Sequence, residues 1–426
     1  MNRFHSFKLL VSSVFLICLW ISHGIAQNSS MTEHEAFTLA RKHFYEGTLK
    51  KGLAELEPLA LKNPDSAEIA FAQGSLQVAS AIENLGQSLI SYGFSSSGLM
   101  NNIILDYITK MSQERHKEII TYQAWNNILN QLREDLDKAR VFLAKVSEKP
   151  VSFKLEPARI RFDINGDGEA TKEESLWLLT AFAFPEEGIE DVSFQEVTFD
   201  GADAAWLRGY SSLVMAKISF LTGYNTENSF KPLKELLFND SIFPLPQDAQ
   251  ALQSYYSGEK DRQIASVVMM IHSINWPVNN VQRISETRTL LKDVISMSRL
   301  SWKLILKRTD SSALRWIPGP GQKSVLGEEV SQEMVTSWQE LLTMTEDILD
   351  GKKLIPTPSF WYLTPNKGVN LRQAFENPQP FDLIGLITGH KALPFIEEGH
   401  VLPVEKWNEA AQAFRGKLLF FALWFN

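Results

Sequence analysis

Between residues 163 and 174, oxygen-bearing side chains recur at alternate positions. They are Asp163, Asn165, Asp167, Glu169 and Thr171, with Glu174 closing the series. The set contains carboxylate, amide and hydroxyl oxygens and neither sulfur nor imidazole. Such a set suits a hard divalent cation. Calcium takes six to eight oxygens at about 2.3–2.6 Å, and one short loop can supply them only by wrapping the ion. Gly168 sits where the wrap must turn sharply, because a residue with a Cβ resists positive φ.

The twelve residues resemble the EF-hand calcium loop, and every fixed position of the pattern D-x-[DN]-x-[DN]-G-x5-E agrees. The resemblance implies one bound Ca2+ and a role for each residue. Asp163, Asn165 and Asp167 would offer side-chain oxygens, and Glu169 its backbone carbonyl. Thr171 would act through a water, and Glu174 would bind through both carboxylate oxygens. Magnesium is disfavoured because it demands a stricter octahedron. Thr171 and Glu174 also match the S/T-x-x-E capping box, directly before the apolar run Leu176-Trp177-Leu178-Leu179. Phe162 is placed to pack beneath the loop against Leu178 or Leu179. Two features depart from paired EF-hands. Ala170 stands where Ile, Val or Leu is common, and the sequence holds no second loop of this pattern. The site is similar to the unpaired calcium loops of exported bacterial proteins. That similarity implies a structural ion rather than a cooperative switch.

The elements around the loop read as mainly α. The expected architecture is a multi-helix bundle with N-terminal helical hairpins, a strand-loop-helix calcium site and an irregular C-terminal lobe. Ala36, Leu39 and Ala40 fit one helix, and Leu53, Leu56, Leu59 and Ala60 fit the next, which Pro58 should interrupt. Asn63-Pro64-Asp65 closes the pair, and Ala70 with Gly74 begins another helix. This spacing resembles a tetratricopeptide repeat over about one and a half units. Residues 98–148 read as two long helices or one bent helix. Trp125, Leu129, Leu132, Leu136, Ala139, Leu143 and Val146 make one stripe, either a bundle face or a coiled-coil seam. Pro150 and Pro157 exclude an unbroken helix over 149–162, where Val151, Phe153, Leu155, Ile160 and Phe162 suggest short extended pieces. Residues 176–184 read as a buried helix stopped by Pro185. Further helices are expected at 203–222, 260–274, 285–307, 327–349 and 405–425. Asp200-Gly201-Ala202-Asp203 reads as a turn capping the first of these. Residues 355–403, rich in Pro, Gly and aromatics, read as an ordered irregular lobe. The chain thus divides into 1–26, 27–148, 149–190 and 191–426.

Arg3 and Lys8 precede a mostly apolar stretch at 9–21, followed by Gly24-Ile25-Ala26. That is the pattern of a cleaved signal peptide, so a periplasmic or secreted destination is expected, with no stable membrane span afterwards. Cleavage would remove Cys18, the only cysteine. It would leave 40 basic against 50 acidic residues, which argues against nucleic acid as a partner. None of His34, His43, His116, His272, His390 or His400 lies in a zinc spacing, and no G-x-S-x-G elbow occurs. Trp316, Trp361 and Tyr362 could line a groove but fit a core better. Three functions are therefore weighed. One is a calcium-binding exported protein. Another is an envelope scaffold that holds a protein partner on its tetratricopeptide-like helices. The third is a hydrolase whose site is dispersed in the sequence.

Overall fold

The computed structural model describes residues 35–94, 118–176, 195–238, 258–322, 324, 329–361 and 363–425. The expected leader at 1–26, the first half of the 98–148 stretch, the run after Leu176 and Tyr362 lie outside the described residues. Among those described, the protein is mainly α, with six short strands.

Helices α1 (Glu35–Glu46) and α2 (Leu49–Lys62) form the first hairpin, followed by α3 (Ala67–Ser91) and α4 (Tyr122–Ala144). Side chains that satisfy orphan backbone donors set their starts. Ser66 accepts from Ile69 N–H at 3.3 Å to start α3, and Thr121 accepts from Ala124 N–H at 3.1 Å to start α4. Pro58 does not interrupt α2, which runs on to Lys62. Proline removes the hydrogen bond to the carbonyl four residues back. Here both Ala54 and Pro58 are solvent-exposed, so water can satisfy the freed oxygen.

α3 is buried on nearly every side and forms the centre of the main core. α4 packs against it through Ile128, Leu129, Leu132, Leu136, Ala139 and Leu143. The stripe is therefore a bundle face packed within the chain. Strand β1 (Phe153–Leu155) pairs antiparallel with β2 (Val197–Phe199), with Phe153 opposite Phe199 and Leu155 opposite Val197. Phe153 stacks on Phe37 at 4.6 Å between ring centroids, with Phe71 edge-on at 6.1 Å.

α5 (Gly201–Gly223) follows β2 directly, capped by Asp200, which accepts from Ala202 N–H at 2.9 Å as the sequence implied. α6 (Glu227–Phe238) pairs with α7 (Gly258–Ser273). β3 (Asn275–Trp276) leads to α8 (Val281–Ile305), which lies along α5 and makes the largest helix–helix contact among the described residues. Ionic bridges tie α4, α5 and α8 together. Asp293 accepts from Arg140 and from Arg208, each at 2.9 Å, and Arg133 pairs with Glu286.

α9 (Gln332–Leu349) starts at Ser331, whose hydroxyl accepts from Met334 N–H at 3.1 Å. The lobe then folds as expected into short pieces. They are β4 (Lys367–Val369), α10 (Leu371–Glu376), β5 (Phe381–Asp382), α11 (Leu383–Ile387) and β6 (Ile396–Glu398). β5 pairs with β3, and β6 pairs with β4. A second core of Tyr224, Trp276, Ile284, Leu342 and Phe375 joins the lobe to α8 and α9.

The single helix expected at 405–425 is instead two, α12 (Val404–Gln412) and α13 (Leu418–Trp424). Arg415 and Gly416 take φ of 49° and 86°, and these left-handed residues end the first helix. The break turns Phe421 back onto Trp302, stacked at 5.5 Å. Trp316 is fully buried, a core residue rather than a groove wall, whereas Trp361 is half-exposed and donates to Ile387 O at 3.3 Å. Among the described residues no helix is long and apolar enough to cross a membrane.

Candidate metal centre

The loop at 163–174 is tied at its neck, on its flank and from beneath. At the neck, Phe162 N–H donates to Glu174 O at 3.1 Å and Leu176 N–H to Ile160 O at 2.7 Å. Arg161 and Ser175 form an antiparallel bridge between them. Ile160, Phe162, Ile164 and Leu176 are all buried in the main core, so apolar burial holds both ends of the loop. On the flank, Arg161 N–H donates to Phe44 O at 2.9 Å, which joins the neck to α1.

Inside the loop, the alternating oxygens organise successive turns. Asp163 Oδ2 accepts from Gly168 N–H at 3.1 Å, Asn165 Oδ1 from Asp167 N–H at 2.7 Å, and Asp167 Oδ1 from Glu169 N–H at 2.8 Å. Gly168 has φ of 95°, the left-handed region that an L side chain resists. The Asn165 amide also donates to Asp167 Oδ2 at 2.7 Å. Glu169 is exposed, so a carbonyl role would leave its side chain in water.

Glu174 closes the loop from within and is fully buried. Its Oε1 accepts from Ile164 N–H at 3.0 Å and Asn165 N–H at 3.2 Å. Its Oε2 accepts from Thr171 N–H at 2.9 Å and Thr171 Oγ–H at 3.0 Å. The expected capping contact from Glu174 to Thr171 therefore forms, but it closes a single 3-10 turn, Lys172–Glu174, and not an α-helix. Ser175 is extended because it bridges to Arg161, and helical backbone resumes only at Leu176. The Phe162 contact expected with Leu178 or Leu179 lies outside the described residues. Phe162 itself is buried.

Two supports come from α3, far away in sequence. Glu83 Oε2 accepts from Asp163 N–H at 2.9 Å, and Gln87 Nε2 donates to Asp163 O at 2.6 Å. Sequence reasoning missed both. The available signal was a glutamate within the apolar run of α3, since buried acids are rare unless partnered. Burial pushes the Glu83 carboxyl up to about 7, with the Asp163 and Glu174 carboxylates adding to the rise and the Asp163 N–H opposing it. The folded chain holds this proton up to about 7, whereas the unfolded glutamate releases it near 4.5. Stability is therefore lost as pH rises through that window. Glu83→Gln keeps an acceptor for Asp163 N–H and removes the charge. In chelator it should be about 1–3 kcal/mol more stable than wild type at pH 8, with the gain vanishing near pH 4. Urea melts at the two pH values check this.

The structure also accounts for Ala170. A methyl placed on Gly47, in the turn between α1 and α2, would lie 2.0 Å from Ala170 Cβ. Gly47 has φ of 65°, and its turn packs directly against Ala170. A larger residue at 170 would collide with that turn.

The donor set fits a calcium ion. Asp163 Oδ1 is buried and has no hydrogen-bond partner, an expensive state for a carboxylate oxygen unless something positive satisfies it. Glu83 lies close enough to feel the Asp163 and Glu174 carboxylates. Among the described residues, no three Asp, Glu, His or Cys side chains converge as a ready-made ligand cluster. The loop oxygens are instead turned onto the loop's own amides. No family model, curated protein or solved structure matches this chain.

Proposed function

We propose that this chain is an exported calcium-binding protein in which the loop 163–174 holds one Ca2+ as a structural ion. Asp163, Asn165 and Asp167 would hold it through side-chain oxygens, Glu169 through its carbonyl, Thr171 through a water and Glu174 through its carboxylate. When bound, the ion would supply positive charge to a site crowded with carboxylates.

The observation that carries this reading is the unclaimed Asp163 Oδ1, buried in a loop whose glycine turn and closing glutamate are already in place. A structural role is supported by the ties from the loop to α1 and α3, and by the α1–α2 turn packed against Ala170. A sensor would need a segment free to move between two arrangements. These ties join the loop to the core instead.

Thermal melting tests the proposal. Calcium at about a hundred times its dissociation constant adds roughly 2.7 kcal/mol. Unfolding entropy is about 2.1 cal/mol/K per residue, so a chain of this length should gain about 3 °C in Tm. Magnesium at the same concentration should give much less. Melting curves that superimpose in calcium and in EDTA would contradict the reading.

A further inference from the structure

Asn165-Gly166 is the only Asn-Gly pair in the chain, and every other asparagine that has a successor precedes a residue with a side chain. The pairing bears on a reaction of the main chain itself. A peptide nitrogen can attack the side-chain carbonyl carbon of the asparagine before it. A Cβ on the attacking residue hinders that approach, and glycine has none.

The fold leaves this pair open. Gly166 is exposed, and its N–H has no hydrogen-bond partner among the described residues, so hydroxide can reach the proton that must leave. Asn165 is only half-buried. Its Oδ1 accepts from Asp167 N–H at 2.7 Å, a bond that spans Gly166 and folds the side chain along the segment carrying the attacking nitrogen. The same N–H meets the oxygen on which negative charge gathers during attack, where a fixed donor helps most. Nδ2, the group that would depart, lies against the exposed Asp167, with Oδ2 at 2.7 Å. Asn370 is the opposite case. It is 2% exposed, its amide donates to Glu397 and its oxygen caps α10, and Leu371 follows it.

We propose that Asn165 is a site of spontaneous deamidation. Gly166 N loses its proton to hydroxide and bonds to Asn165 Cγ. The Cγ–Nδ2 bond breaks, and the departing nitrogen takes a proton from water and leaves as ammonia. Water then opens the resulting five-membered imide. Opening at Cγ gives aspartate. Opening at the Asn165 main-chain carbonyl gives isoaspartate, whose main chain is one carbon longer. The reaction uses only these two residues and water, so it stands apart from the calcium reading. On that reading, isoaspartate would also shift Asp167 out of step with Asp163.

The test holds the full chain folded in EDTA at pH 8 and follows each asparagine by peptide mass spectrometry. Asn165 should exchange NH2 for OH ahead of every other asparagine and should yield both aspartate and isoaspartate. Conversion no faster at Asn165 than elsewhere, or aspartate without isoaspartate, would overturn the proposal. Gly166→Ala restores a Cβ beside the attacking nitrogen and should slow conversion at Asn165 at least about tenfold, a barrier rise of about 1.4 kcal/mol. An unchanged rate in the folded variant would equally defeat the assignment. Gly166 has φ of 68°, which alanine resists. Should the variant fail to fold, the ranking of asparagines in the wild-type chain decides alone.

Discussion

Glu174→Gln is expected to lose the calcium response and to be about 1–3 kcal/mol less stable even in EDTA. The first effect follows from the loss of the carboxylate that would close the loop on the ion. The second follows from the hydrogen bonds already present. Both carboxylate oxygens accept backbone N–H groups, Ile164 and Asn165 on one side and Thr171 on the other. A glutamine has one oxygen, so its NH2 must face donors on one side. Thr171 Oγ–H can rotate away, but a backbone N–H cannot. The group is fully buried, so no water replaces the lost acceptor. Asp167→Asn offers the contrast. Asp167 is exposed, so stability in EDTA should change by less than about 0.5 kcal/mol while calcium affinity falls. Urea melts of the three proteins, with and without calcium, separate the two effects. Equal calcium responses in wild type and Glu174→Gln would refute the assigned role.

Arg308→Ala should be destabilised by about 3–5 kcal/mol, the range for breaking a buried ionic cluster from one side. Arg308 is 5% exposed at its side chain and holds three groups together. Its Nε donates to Asp200 Oδ2 at 2.7 Å, its Nη2 to Asp203 Oδ2 at 3.3 Å, and its Nη1 to Ile317 O at 2.5 Å. Asp200 also caps α5, so the loss reaches the start of that helix. Burial and the neighbouring Asp200 carboxylate already push Asp203 up to about 7. Acidification should therefore shrink the deficit, because a protonated carboxyl needs the guanidinium less. Chemical unfolding at pH 8 and pH 5 reads both the deficit and its partial recovery. A deficit below about 1 kcal/mol at pH 8 would show that the cluster is far less coupled than its geometry implies.

Local signals in the chain carried much of the architecture. The cap read at Asp200 does start a helix, because a side-chain oxygen two or three residues ahead of an orphan N–H is a purely local device. The stripe on α4 marked a buried face for a similar reason, as periodicity reports burial directly. Two expectations failed where solvent or tertiary contact decides the outcome. Pro58 is tolerated because its face of α2 meets water, and the terminal run splits because Arg415 and Gly416 turn left-handed to bring Phe421 onto Trp302.

The candidate site divides in the same way. Its turn, glycine and closing acid lie within twelve residues and could be read together. Glu83 and Gln87 sit about eighty residues away on α3, and nothing local links them to Asp163. The extended Ser175 was also hidden, since the Thr171–Glu174 pair suits either a 3-10 turn or a longer helix. Ala170 looked like a mere departure from pattern until the Gly47 turn appeared beside it.

Calorimetric titration of calcium into the chelator-treated full chain addresses the central claim most directly. The account predicts one site per chain, a dissociation constant in the micromolar-to-millimolar range and much weaker binding of magnesium. Absence of a saturable heat, or indistinguishable isotherms for the two ions, would contradict it.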